Sequence, residues 1–211
     1  MLLATAPEIR VPSTPAAASL AEMAEDSPND HELMIAVRAG EIVRLGDLFE
    51  RWHQRLYAFF VRLTSQPSAS EDLVQLVFYR ILKYRHTYRD EGKFSAWIYH
   101  LARKVAADHF RKSSSVPAAI DPSDLHELAD PAPDSAERAA GNEDLTLLRT
   151  ALARLPLETR EVLVLSRLQQ VGHKEIARLL DTTPGAVKVR VHRALKELRD
   201  VYFKLRREKF A

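Results

Sequence analysis

The sequence contains no cysteine and only 6 glycines among its 211 residues. Without thiols the chain forms no disulfide, no thiolate zinc site and no iron–sulfur cluster, and it has no cysteine nucleophile. The absence of cysteine fits a reducing compartment, so we expect a cytoplasmic protein. The scarcity of glycine argues against a glycine-rich sandwich and against a collagen-like repeat.

Long apolar runs are also missing. The longest are short stretches such as Leu56–Val61, far below the roughly 20 residues that a membrane-spanning helix needs. Near the first residue, Pro7, Glu8 and Arg10 interrupt the apolar side chains too early for a secretory signal. We therefore expect no membrane insertion.

Patterns of catalytic or metal-binding residues are absent as well. The 8 histidines are scattered, none forms a His-x-x-x-His pair beside a glutamate, and no glycine-rich phosphate loop occurs. Pairs such as Asp108-His109 are common on helices. We expect no catalytic residue, no metal and no cofactor, and hence a protein that is not an enzyme.

The charged residues that are present are strongly segregated. The formal net charge of +2 conceals −4 over residues 1–30, +5 over 31–112, −7 over 113–144 and +8 over 145–211. Two basic blocks predict two surfaces for a polyanion, although a basic run is also a common solvated face. The acidic segment between them would be repelled by that polyanion, would mimic it, or would serve only as a tether.

Composition divides the chain into four parts. Residues 1–29 and 113–143 are rich in proline, alanine and serine and lack a sustained apolar period, which predicts a disordered extension and a flexible acidic linker. In residues 30–112 and 144–211 apolar side chains recur at helical spacing, without a strand period. We predict an all-α fold of two small helical domains.

The first block contains four predicted helices. Asp30 is the expected N-cap of a helix near 31–39 that ends at Gly40. The others lie near 41–64, from Ser68 or Ser70 onwards, and near 93–112. Their apolar stripes, to which Phe49 belongs, are mainly core.

The second block predicts helices near 144–155, from Leu157 to about Gln170, from His173 to Leu180, and from Pro184 to about Phe203. Thr183 is a suitable N-cap for the last helix, and proline is tolerated at its first position. A short helix, a tight turn and a longer basic helix form the helix-turn-helix pattern.

The last helix carries a basic face. Lys188, His192 and Lys196 recur at four-residue steps, with Arg190 and Arg193 beside them. An α-helix fits the major groove of DNA, where arginine and lysine contact guanine edges and phosphates. A solvated amphipathic helix is the alternative, but it would mix charges of both signs, whereas residues 184–196 contain no carboxylate. We therefore expect this face to bind DNA.

Each block contains a set of short motifs. In the second block these are Leu152–Pro156, Arg160–Val162, Glu175–Ala177 and Val187–Ala194. In the first block they are Glu71–Gln75, Val77-Phe78, Tyr88–Phe94, Trp97–Tyr99, Ala102-Arg103 and Asp108. The set in the second block resembles the σ4 domain, and the set in the first block the σ2 domain, of the bacterial sigma factors of the extracytoplasmic-function group, group 4 of the sigma-70 family. The likeness covers roughly residues 30–112 and 144–205.

The resemblance implies partners and roles. The partners are core RNA polymerase, through its β′ clamp helices and β subunit, promoter DNA and, as a further candidate, an anti-sigma factor. It assigns polymerase binding to Asp72, Gln75, Leu76 and Phe78. It assigns the melted −10 element to Tyr88, Arg89, Lys93, Phe94, Trp97, Arg103 and Lys104, and the −35 element to Lys188, Val189, Arg190, His192, Arg193 and Lys196.

Three residues depart from the family pattern. Leu76 stands where an acidic residue is usual, and Lys104 stands where many members have an asparagine that contacts a flipped base. Val189 replaces a common serine, which removes a phosphate hydrogen bond but offers contact with a thymine methyl.

Two alternatives remain open at this level. A two-domain helix-turn-helix regulator would bind a duplex operator by itself, whereas a sigma factor would need core polymerase. For Phe94 and Trp97, packing in the core is the alternative to stacking on unpaired bases.

Overall fold

A computed structural model of the chain describes residues 28–89, 93–113 and 136–210. Within those ranges there is no strand, and the all-α prediction is confirmed. The helices are α1 (Asp30–Ala39), α2 (Arg44–Thr64), α3 (Pro67–Tyr84), α4 (Phe94–Ser113), α5 (Ala136–Arg154), α6 (Leu157–Leu163), α7 (His173–Leu179) and α8 (Pro184–Phe210). None of these is long and apolar enough to cross a membrane. Most of the predicted extension and linker lies outside the described residues. The start predicted for α5 near residue 144 was wrong, because the helix begins at Ala136, within the predicted linker.

The N-cap of α1 is Asn29, and the prediction of Asp30 was wrong by one residue. The Asn29 side chain accepts from the backbone N–H groups of His31 and Glu32, both at 3.0 Å. The Glu32 carboxylate accepts from the Asn29 N–H at 2.8 Å, which completes a capping box. Asp30 instead accepts from the indole Nε1 of Trp52 at 2.9 Å and so ties α1 to α2.

The connections around α2 explain the other shifted boundaries. Gly40 ends α1 at a φ of 113°, a left-handed conformation that glycine adopts without strain. Hydrogen-bonded turns then occupy residues 41–43, so α2 starts only at Arg44. At its other end the extended Gln66 precedes Pro67, which takes the first helical position of α3 ahead of the predicted serines.

Helices α1 to α4 enclose an aromatic-rich core. The α2 side chains Leu56, Phe59 and Phe60 are fully buried. Phe59 lies 5.5 Å from the Tyr99 ring of α4, and Trp52 lies 5.9 Å from the same ring. Edge-to-face and tilted contacts of this kind suit the aromatic quadrupole. They hold α4 against the long helix α2.

Helices α5 to α8 form the second block, with the helix-turn-helix in α7 and α8. Val187 and Val191 of α8 are buried, as is Ile176 of α7. The hydroxyl of Thr183 accepts from the backbone N–H of Ala186 at 3.2 Å, as the capping prediction required. Helix α8 continues beyond the predicted end, to Phe210.

The helix predicted from Leu157 to about Gln170 is α-helical only to Leu163. A π-helical turn follows over Val164–Leu168, with the Gln169 N–H bonded to the Val164 carbonyl at 2.9 Å. Such turns are rare and place an extra residue in the helix. Here the turn leads the chain to the loop before α7.

The two blocks share one apolar core. A single contiguous cluster of buried side chains includes Leu56 and Ile98 from the first block and Val162 and Ile176 from the second. The sequence predicted two separate domains joined by a linker and contained no signal that they pack together. The packed arrangement decides which predicted site residues are accessible.

We predict that Asn29→Ala lowers the free energy of unfolding by about 1 kcal/mol, because two N–H groups of α1 lose their acceptor. Urea unfolding followed by circular dichroism measures the change. Glu50→Ala, at an exposed position of α2, is the control and should change stability little. Equal stability of the two variants would contradict the cap assignment.

Candidate nucleic-acid and partner interfaces

The basic face of α8 is fully presented to solvent. All six residues predicted for the −35 element are exposed: Lys188, Val189, Arg190, His192, Arg193 and Lys196. On the opposite side of the helix Val187, Val191 and Ala194 are buried, so packing fixes which way the helix faces. None of the four lysines and arginines in this set forms an ion pair with a described carboxylate. The face is available to an external anion.

The residues predicted for polymerase binding lie on α3 but differ in exposure. Asp72, Gln75 and Leu76 are exposed, and Leu76 retains 38% of its surface. Phe78 is only 7% exposed, because its ring packs edge-on against Phe49 with 4.9 Å between centroids. Phe78 therefore supports this face from beneath and does not reach a partner in this arrangement.

Phe49 was predicted as core and is instead 37% exposed. Its ring stacks on His53 at 4.9 Å, and the two line a shallow groove of about 330 Å³ with Val74 and Gln75. Helical spacing places Phe49 on the inward edge of α2, but α3 covers only part of the ring. Phe49 thus belongs to the same surface as Gln75.

The three aromatic residues predicted for −10 DNA do come together. The ring centroids of Tyr88 and Trp97 lie 5.1 Å apart, and Phe94 lies 6.1 Å from each. Tyr88 and Phe94 are buried, and Trp97 is half-buried. In this arrangement the first two rings pack in the core and are closed to a base. The loop residues 90–92 lie outside the described part of the chain.

Two contacts fix Tyr88 on α1. Its hydroxyl lies 2.7 Å from Nδ1 of His31, and its carbonyl accepts from the Arg38 guanidinium at 2.8 Å. These partners are more than 45 residues away in sequence. No local motif pointed to them.

The four cations predicted for −10 DNA fall into two groups. Arg89 and Lys104 are exposed on the first block. Arg103 is engaged by the second block: its Nε donates to Glu161 Oε1 at 2.8 Å, and a terminal nitrogen donates to Oε2 at 3.2 Å. Lys93 lies 3.7 Å from Glu175. Arg103 is therefore engaged by a carboxylate of this same chain, whereas the Lys93 side chain stays 78% exposed beside Glu175.

Further polar contacts between the blocks were not foreseen. The Tyr99 hydroxyl donates to Gln169 Oε1 at 2.7 Å, and burial raises the pKa of Tyr99. The Arg160 guanidinium donates to the backbone carbonyls of Leu63 and Leu155, and burial lowers its pKa. In the sequence, Tyr99 and Arg160 look like ordinary polar residues of a helix, and nothing nearby predicts their partners. The packing of the two blocks brings Gln169 to Tyr99 and the carbonyl of Leu63 to Arg160, whereas Leu155 lies in the same block as Arg160.

Asp108 links α4 to α3. Its carboxylate accepts from Arg80 at 2.6 Å, and this hydrogen bond is the largest cause of its lowered pKa. This ion pair therefore ties α4 to α3. Among the described residues there is no cluster of His, Asp or Glu able to hold a metal ion.

Two family models match the chain in order. The model described as Sigma-70 region 2 matches residues 48–116, and the model described as Sigma-70, region 4 matches residues 145–198. The first range contains the α3 and α4 residues described above, and the second contains the helix-turn-helix.

Similar proteins cover most of the chain. RNA polymerase sigma factor CarQ of Myxococcus xanthus is 30% identical over 162 residues, which are 77% of this chain and 91% of that protein. ECF RNA polymerase sigma factor SigX of Bacillus subtilis is 30% identical over 164 residues, 76% of this chain and 84% of the relative.

Two solved structures share the fold. CnrH in complex with the cytosolic domain of CnrY has a TM-score of 0.60 at 21% identity, over 82% of this chain and 96% of that one. The sigma factor RpoE of Bartonella quintana, in complex with the anti-sigma factor NepR, has a TM-score of 0.60 at 22% identity, over 74% and 94%.

The region 2 and region 4 matches, with the identity to CarQ and SigX, show that the chain belongs to the sigma-70 family, in its extracytoplasmic-function group. It is an RNA polymerase sigma factor, which binds core polymerase and directs promoter-specific transcription. Sigma factors are DNA-binding initiation factors.

We predict that Tyr88→Phe lowers the free energy of unfolding by about 1 kcal/mol, through loss of the bond to His31. Tyr88→Ala should cost about 3 kcal/mol or more, because the buried ring itself is removed. Denaturant unfolding of both variants measures the two costs. If alanine costs no more than phenylalanine, the ring is not part of the core.

Proposed function

We propose that this sigma factor binds promoters through two surfaces, the −10 element through residues 30–112 and the −35 element through residues 144–211. Residues 113–143 connect the two domains, and residues 1–29 precede them. The observation that carries the proposal is the basic, exposed face of α8, where residues 184–196 contain no carboxylate. The protein acts in the cytoplasm with the polymerase and catalyses no reaction itself.

At the −35 element, α8 enters the major groove. Burial of Val187 and Val191 against α7 orients Lys188, Arg190 and Arg193 outwards, where they reach guanine edges and phosphates. Val189 is 49% exposed and offers a methyl surface to thymine. His192 and Lys196 extend the same face along the helix.

At the −10 element, the exposed Arg89 and Lys104 contact phosphates of the melted strand. Trp97 is the ring best placed to stack on a base, since it is half-buried while Tyr88 and Phe94 support it from the core. Lys93 and Arg103 join these contacts once they leave their carboxylate partners.

Polymerase binding uses the exposed side of α3. Asp72 and Gln75 lie one turn apart and meet basic groups of the β′ clamp helices. Leu76 adds apolar area where an acidic residue is usual, and Phe78 supports the surface through Phe49. The second domain contacts the β subunit.

An anti-sigma factor is a further proposed partner. The support comes from the RpoE structure, in which a protein of this fold is in complex with the anti-sigma factor NepR.

Run-off transcription with sigma-free core polymerase tests the function directly. Adding this protein should produce discrete transcripts from promoter DNA. A helix-turn-helix regulator would bind duplex DNA without polymerase and would start no transcript.

We predict that Asp72→Arg abolishes binding to core polymerase while helix content stays unchanged, because it reverses the charge of an exposed contact. Co-migration with core polymerase on gel filtration measures binding. Glu41→Arg makes the same charge change in the α1–α2 connection, where the side chain has only an exposed contact with Arg44. The Glu41→Arg control should bind core polymerase normally. Unchanged co-migration of Asp72→Arg with core polymerase would contradict the proposal that Asp72 binds polymerase.

We predict that Lys188→Ala and Arg193→Ala each weaken use of −35-containing promoters. A lost base contact costs about 1–3 kcal/mol and relaxes sequence preference, whereas a lost phosphate contact mainly reduces salt dependence. Run-off yield from promoters mutated at −35, measured over a salt titration, separates the two cases. Lys204→Ala, further along α8 and paired only weakly with Glu208, is the control. Unchanged promoter strength and sequence preference in both variants would contradict the proposal that the basic face of α8 contacts the −35 element.

A further inference from the structure

A basic and aromatic surface lies where α3 ends. Tyr84 is the last residue of α3, and a 3₁₀ turn follows over Arg85–Thr87. The side chains of Lys83, Tyr84 and His86 are exposed, and they belong to none of the surfaces proposed above. We refer to these three residues as the Tyr84 patch.

Hydrogen bonds fix the backbone that carries the patch. The Thr87 hydroxyl donates to the Tyr84 carbonyl, and the Arg85 guanidinium donates to the Leu82 carbonyl, both at 2.7 Å. Both carbonyls lie in the last turn of α3, where the helix itself supplies no donor. The end of the helix is therefore held locally, while the Tyr84 ring keeps 39% of its surface exposed.

The patch carries positive charge that no described carboxylate neutralises. Residues 79–89 contain no Asp or Glu, and neither Lys83 nor His86 forms an ion pair within the described part of the chain. The Lys83 ammonium lies 5.5 Å from the centre of the Tyr84 ring, a cation–π contact. A cation beside an exposed aromatic ring is suited to the phosphate and the base of an unpaired nucleotide.

The patch adjoins the surface proposed for the −10 element. Arg89 is exposed two residues beyond the 3₁₀ turn, and the intervening Tyr88 lies 5.1 Å from the ring of Trp97. Tyr84 is more exposed than all three rings predicted for −10 DNA. The most accessible aromatic side chain next to that surface is therefore one that the family pattern does not assign.

We propose that the Tyr84 patch is a further binding site for single-stranded DNA of the melted promoter. Tyr84 stacks on an unpaired base, and Lys83 and His86 contact phosphates of the same strand. The inference rests on the proposed −10 role of the first block and adds a site to that surface. Duplex DNA fits the patch less well, because paired bases stack on one another and offer the ring no free face.

The sign of the charge argues against polymerase as the partner of the patch. Asp72 and Lys83 lie on one face of α3, three turns or about 16 Å apart along the helix axis. Basic groups of polymerase that attract Asp72 would repel Lys83, whereas DNA phosphates attract it. The start of α3 thus suits polymerase and its end suits DNA.

The first test measures binding of holoenzyme, assembled from core polymerase and the full chain, to fluorescein-labelled promoter DNA by anisotropy. One promoter has a mismatched, permanently open −10 segment, and the other is fully paired and kept at a temperature too low for melting. Tyr84→Ala should weaken binding to the open promoter about tenfold, the loss expected for one stacked base. Binding to the paired promoter should stay unchanged.

The matched control is Tyr79→Ala. Tyr79 lies on the same helix one turn from Leu76 and is 59% exposed, and its loss should leave binding to both promoters unchanged. Tyr84→Phe keeps the ring and should bind the open promoter as tightly as the wild-type chain does. Equal open-promoter affinity in Tyr84→Ala and Tyr79→Ala overturns the proposal. A loss in Tyr84→Phe as large as in Tyr84→Ala overturns it too, because stacking needs only the ring.

Lys83→Gln tests the phosphate contact. The slope of log affinity against log salt for the open promoter should fall in magnitude by about 0.7, the value for one phosphate of a single strand. An unchanged slope overturns the assignment of Lys83.

Crosslinking identifies the strand that the patch contacts. Because the chain has no cysteine, a photoreactive aryl azide can be attached at Tyr84→Cys alone. Irradiated holoenzyme on the open promoter should crosslink to the unpaired strand. Ser68→Cys, exposed in the first turn of α3 and about 24 Å away along the helix, is the control and should not. Crosslinks only to paired DNA, or only to polymerase, overturn the proposal.

Run-off transcription separates this inference from the proposed function. A wild-type chain that produces no transcript with core polymerase contradicts the proposed function. An active wild-type chain, with Tyr84→Ala equally active and equally tightly bound to the open promoter, overturns the Tyr84 patch alone.

Discussion

The two faces of α4 determine how the rest of the molecule is arranged. Ile98, Ala102 and Val105 recur at helical spacing and fill the core. Tyr99 and Arg103, one turn apart, bond to the second domain. Each polar bond lies beside buried apolar surface, where an unpaired partner would be costly, so the two faces reinforce one another.

The two surfaces that we propose for DNA differ in access in this arrangement. The α8 face depends on local packing within the helix-turn-helix and is exposed. The proposed −10 surface depends on α4, and α4 is where the second block packs, with Arg103 bonded to Glu161. The access of the first surface is thus decided within one block, and that of the second by the contact between the two.

The sequence predicted local features well where the signal was local. The all-α class, the Gly40 end of α1 and the Thr183 cap of α8 follow from periodicity and capping chemistry. It placed the cap of α1 at Asp30 because asparagine and aspartate stand side by side and cap almost equally well. It placed Phe49 in the core because periodicity gives a direction but not the extent of the covering helix.

The sequence by itself determined the helices, their apolar stripes, the basic face of α8 and the family resemblance, because each depends on residues a few positions apart. The tertiary structure alone decided that Arg103 faces Glu161 and that Tyr99 meets Gln169, pairs separated by 58 and 70 residues. It also decided that Tyr88 and Phe94 are buried while Asp72 and Gln75 are not. Charge and polarity show that a side chain needs a partner, but only the folded chain determines whether that partner is DNA, solvent or a residue of the other domain.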